Sequence, residues 1–126
     1  MDDANKARVV GFLKEFKKIV VTGRGLDVIP RPENIKCLAE LGLTKKNQRE
    51  EILSLTPADY CEGPELDKDK PGEIWVFGKQ IGGREVYIKL KIAKVSEEKI
   101  AKCISFHPAR YPLCFPLRAE KRRSEK

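Results

Sequence analysis

The chain contains one histidine, His107, inside the stretch KCISFHPARYPLCF. It closes an apolar alternation and is followed at once by a proline. An imidazole near its unperturbed pKa can take or give a proton at neutral pH, which makes His107 a natural general acid or base. Upstream lies REVYIKLKIA, where Val86, Ile88, Leu90 and Ile92 alternate with Tyr87, Lys89 and Lys91. Successive side chains of a strand point to opposite faces, and paired strands run roughly 4.8 Å apart. If the two segments pair, Ile104 and Phe106 face the core. Cys103, Ser105 and His107 then share the other surface with Tyr87, Lys89 and Lys91. Lys79, Arg84 and Arg110 fall at the ends of the same strands.

This set suits RNA cleavage without a metal. A ribose 2′-hydroxyl attacks the adjacent phosphorus while a base removes its proton. An acid protonates the departing 5′-oxygen, and cations balance the charge on the phosphorane-like transition state. His107, Tyr87 and Lys89 are the candidate catalytic residues, and Lys79, Arg84, Lys91 and Arg110 the candidate RNA-binding ones. The tyrosine can stack on a base or donate to phosphate. No acidic cluster accompanies the set, so neither metal ligands nor a cofactor are expected. Against this stands the plainer reading, a solvated lysine face with a structural histidine at a strand end. Trp75 and Phe77 read as core rather than as stacking platforms.

The rest of the chain must position these groups. Its 126 residues, 40% hydrophobic and 36% charged, fit one domain with a modest core. The net charge of +7 points to a polyanionic partner: nucleic acid, an anionic membrane surface or an acidic protein. No apolar run approaches the roughly 20 residues of a membrane span. The N-terminus MDDANKARVV lacks the apolar core of a secretory signal. A cytoplasmic location and no membrane partner are therefore expected. Cys37, Cys61, Cys103 and Cys114 show no C-x-x-C spacing and read as reduced thiols.

Helical periodicity runs from Ala4 to about Val21, carried by Val9, Val10, Leu13, Phe16 and Val20. LDVIPRP is extended. A second helix spans roughly Glu33 to Glu40, with Ile35, Leu38 and Leu41 on one face, and Gly42 closes it. Thr44 caps a third helix, and Thr56-Pro57-Ala58-Asp59 starts another. CEGPELDKDKPGE reads as an exposed loop. EIWVFGK, REVYIKLKIA and KCISFH then form a three-stranded antiparallel meander. The expected architecture is α+β, with N-terminal helices packed on a small twisted sheet. Residues 1–117 form a single domain, and residues 118–126 a charged, frayed tail.

The segments LAELGL, ILSLTPADY, EIWVFGK, EVYIKLKI and ISFHPA, in that order, resemble the MqsR (motility quorum-sensing regulator) family of bacterial toxins. The resemblance runs from the first helix to about His107. It implies a RelE-like fold, metal-independent cleavage of mRNA, and a cognate antitoxin protein as partner, with the ribosome as a further candidate partner. The family's active-site tyrosine falls on Tyr87. A lysine of its last strand falls on His107, a further lysine on Glu62, and a glutamine on Val76. Tyr87 is thus retained, and His107 stands as a functional replacement, since some related RelE-like toxins use histidine. The competing reading is a non-catalytic RNA- or protein-binding module on the same fold. A DNA-binding regulator ranks last, because no paired-helix signature with a basic recognition face is present.

Overall fold

A computed structural model describes residues 3–118; all of the expected tail beyond Arg118 lies outside them. Helix α1, Asp3–Thr22, buries the expected stripe of Val9, Leu13, Phe16 and Val20, while Val10 points outward. Strand β1, Leu26–Val28, follows. Helix α2, Pro32–Leu41, starts on a proline, whose fixed φ suits the first turn. It stops at Gly42, whose φ of 67° is left-handed. Its buried face differs from the expected one. Asn34 and Cys37 are the buried residues, and Ile35 is exposed. Hydrogen bonds draw Asn34 inward, a preference that hydrophobic spacing does not record.

Helix α3, Lys45–Leu53, opens with a reciprocal cap. The Asn47 N–H donates to Thr44 Oγ1, and the Thr44 N–H donates to Asn47 Oδ1. Pro57–Asp59 forms a single 3₁₀ turn rather than a longer helix. Strand β2, Tyr60–Leu66, occupies half of the segment read from sequence as a loop. Glu62, Gly63 and Pro64 disguise it. They are tolerated because β2 is an edge strand with two register shifts, so its outer side needs no partner. Strands β3 (Glu73–Ile81), β4 (Arg84–Val95) and β5 (Glu98–Pro108) form the expected meander. Gly82 and Gly83, both at positive φ, make the tight β3–β4 turn.

The domain is α+β, with three helices on a five-stranded sheet of order β1-β5-β4-β3-β2. The sheet is mixed rather than purely antiparallel, because β1 pairs parallel with β5. The helices cover one face. There Trp75, Phe77, Val86, Ile88, Leu90 and Phe106 meet the α1 stripe, and Phe12 stacks on Trp75 and Phe77. Trp75 and Phe77 are core residues. Among the described residues no helix is long and apolar enough to cross a membrane.

Candidate active-site cleft

The opposite face of β4 and β5 carries the candidate catalytic residues. Tyr87 and His107 are register partners, as are Lys89 and Ser105. The Tyr87 and His107 rings stack with centroids 5.3 Å apart and planes 19° from parallel. Lys89 Nζ lies 5.9 Å from the centroid of the Tyr87 ring, extending the row. These side chains line a cleft of about 510 Å³. Arg31 and Glu33 border it from the start of α2, Cys61 and Glu62 from β2, and Arg110 to Cys114 from the segment after β5.

A bulge sets this face. Leu90 pairs with Cys103 and Lys89 with Ser105, so Ile104 is the extra residue on β5. Before the bulge Ala101 and Cys103 point to the core; after it Phe106 does. Cys103 therefore lies in the core, contrary to the strict alternation expected from sequence, while Ser105 and His107 face the cleft. Asn34 of α2, 2% exposed, holds the bulge. Its Nδ2 donates to the carbonyls of Ile104 (3.0 Å) and Ile29 (2.9 Å), and its Oδ1 accepts from the Phe106 N–H (2.9 Å). One side chain thus satisfies backbone groups at the bulge and just past the end of β1.

His107 is 8% exposed, and its Nδ1 lies 3.0 Å from the Pro108 carbonyl. A carbonyl can only accept, so Nδ1 is the donor in this contact, which leaves Nε2 as the ring nitrogen able to accept. Tyr87 is held as the protonated phenol. Burial, then the charges of Glu62 and Glu65, raise its pKa above the ordinary phenol value, partly offset by Arg110. Its hydroxyl is a proton donor at neutral pH. Cys61 is held as a thiol by burial and then by Glu62, its pKa raised to about 12.

The expected RNA-binding residues divide. Lys89 and Arg110 border the cleft, the latter 3.7 Å from Glu33. Lys79 does not reach it. It shares the helix-covered face with Trp75 and Phe77, forms an ion pair with Glu51 at 2.8 Å, and bonds Ser54 of the α3 cap. Lys91 has the expected strand parity, yet it is only 3% exposed and pairs with Asp67 at 2.5 Å beneath the β2–β3 turn. Arg84 stands at the β3–β4 turn with the pleat parity of Val86 and Ile88, outside the cleft lining. Of the positions flagged by resemblance, Glu62 borders the cleft, whereas Val76 is buried.

Sequence reasoning missed the cleft's outer wall. The segment 109–118 folds back over β3 and β4. The Leu113 N–H donates to Glu85, and Arg118 pairs with Asp59 and covers the Phe115 ring. A Cβ at Gly78 would collide with Leu113 and meet Phe115 at 3.1 Å, so glycine lets the segment lie flat. The signal was present in YPLCFPL, an apolar run after the last strand with nothing yet to cover. Arg31 and Glu33 carried no comparable signal. Among the described residues no group of three His, Cys, Asp or Glu converges as a metal site. No family model, curated protein or solved structure matches the chain.

Proposed function

We propose that this cleft belongs to a metal-independent endoribonuclease of the toxin type, acting on mRNA in the cytoplasm and held in check by a cognate antitoxin. The stacked Tyr87–His107 pair on the floor of the cleft carries the reading. His107 Nε2 takes the proton of a ribose 2′-hydroxyl as its oxygen attacks phosphorus. The bond from phosphorus to the 5′-oxygen breaks, and Tyr87, a donor at neutral pH, protonates the leaving oxygen or steadies a phosphoryl oxygen. The products are a 2′,3′-cyclic phosphate and a 5′-hydroxyl. Lys89 and Arg110 offset the charge that develops between them.

A second reading keeps the fold and drops the chemistry. It is favoured by Glu33 beside Arg110 and by Glu62 in the wall, which place negative charge where RNA would lie. The test uses purified protein, single-stranded RNA and EDTA. Cleavage that persists in EDTA, leaves cyclic phosphate ends and disappears in a folded His107→Ala variant supports the nuclease. RNA binding without cleavage supports the binding module. Activity lost in EDTA and restored by magnesium overturns the mechanism.

A further inference from the structure

Away from the cleft, a groove of about 550 Å³ runs between the end of β1 and helices α2 and α3. Leu26, Val28, Ile29, Ile35 and Leu38 make it aliphatic. Among the described residues no aromatic ring lines it, so they offer a nucleobase nothing to stack on. Its rim is basic. Lys45, Lys46 and Arg49 border it, and none of them belongs to an ion pair among the described residues. The acid on the rim, Asp27, is engaged by Lys102 at 3.0 Å.

Gln48 is the second, independent feature. It lines the groove and is 2% exposed, yet its Nε2 meets no hydrogen-bond partner. It is the one buried side-chain nitrogen or oxygen in that condition among the described residues. A buried amide nitrogen left unpaired destabilises a fold, and it can only donate. What Gln48 Nε2 lacks is an oxygen acceptor. The first turn of α3 adds to the demand, because the backbone N–H groups of Lys45 and Lys46 precede the first intrahelical bonds and carry the positive end of the helix dipole.

We propose that this groove binds an aliphatic carboxylate, with the chain on the β1 and α2 side chains and the carboxylate among Gln48, Lys45, Lys46 and Arg49. Its volume lies in the range of small-molecule sites. The proposal is independent of the cleavage reading, because no groove residue belongs to the Tyr87–His107 cleft except through the shared framework of α2.

The test is a titration of ¹⁵N-labelled protein with sodium octanoate, read by the amide signals of Leu26 to Ile29, Lys45 and Lys46 and by the side-chain amide pair of Gln48. Octanoate should move these signals together. Acetate, which lacks the chain, and octyltrimethylammonium, which reverses the charge, should not. Gln48→Leu should melt at a higher temperature without ligand, because the unpaired amide is gone. It should bind octanoate at least about tenfold more weakly, because the donor is gone too. Lys45→Glu with Lys46→Glu changes only exposed positions and should weaken binding by a similar factor. Shifts confined to other regions, equal shifts with the cationic analogue, or unchanged affinity in the lysine variants would overturn the proposal. The same holds if a folded Gln48→Leu binds octanoate as tightly as the parent.

Discussion

At the scale of single residues, the two rings in the cleft are given opposite hydrogen-bonding capacities by their surroundings. The Pro108 carbonyl beside Nδ1 leaves Nε2 of His107 as the acceptor, while burial and Glu62 keep the Tyr87 phenol protonated. Tyr87→Phe keeps the stacked ring and removes only the hydroxyl. We expect RNA affinity to be unchanged and the cleavage rate to fall on the order of 10²-fold, the usual size of a general-acid contribution. Single-turnover rates beside equilibrium binding check this; an unchanged rate would leave Tyr87 as a stacking surface. Glu62→Gln removes a negative charge that raises the Tyr87 pKa, so the alkaline limb of the rate profile should move to lower pH. A limb that stays in place would detach that limb from Tyr87.

At the scale of elements, β5 and the β2–β3 turn each depend on one polar side chain. Asn34→Ala leaves the carbonyls of Ile29 and Ile104 and the Phe106 N–H without their partner. The expected loss is about 3 kcal/mol, the sum of partly relaxed unpaired backbone groups, measured by denaturant unfolding. A loss below about 0.5 kcal/mol would mean that the bulge holds itself without the helix. At the turn, a hydrogen bond from Lys91 and then the Asp69 N–H hold the Asp67 carboxyl at about 2, below its ordinary 3.8. Between those values the unfolded chain binds more protons than the folded one, so stability is present above about pH 4 and drains away toward pH 2. Asp67→Asn should flatten that acid slope and lower stability at neutral pH. An unaltered slope would assign acid sensitivity to other carboxylates.

At the scale of the whole molecule, the net charge of +7 overstates what an RNA strand in the cleft would meet. Among the described residues Arg31, Lys89 and Arg110 are the Lys and Arg side chains that border it, while Lys79 and Lys91 are occupied by acids elsewhere. Each phosphate contact to a single strand contributes about 0.7 to the salt slope, so three predict a slope of about −2. Lys89→Ala should reduce it by about 0.7, and Lys79→Ala should leave it unchanged. Binding measured across a series of salt concentrations decides; a slope altered equally by both variants would spread the RNA site over both faces of the sheet.

The local patterns of the chain determined which residues could meet. The period-two alternation from Val86 to Ile92 put Tyr87 and Lys89 on one face and the branched aliphatics on the other. The α1 stripe and the Thr44 cap were equally legible, because helix periodicity and capping are set by residues a few positions apart. The tertiary structure alone decided which of them are available. The Ile104 bulge, which turns Cys103 inward and sets His107 opposite Tyr87, is held by Asn34, 70 positions before Ile104. Whether Lys79 or Lys91 is free depends on Glu51 and Asp67, and the outer wall depends on Gly78 admitting Leu113 and Phe115. Alternation is a property of neighbouring residues, whereas ion pairing, bulge closure and cleft walls depend on which distant groups the fold brings into contact. A single sequence carries no direct record of those contacts.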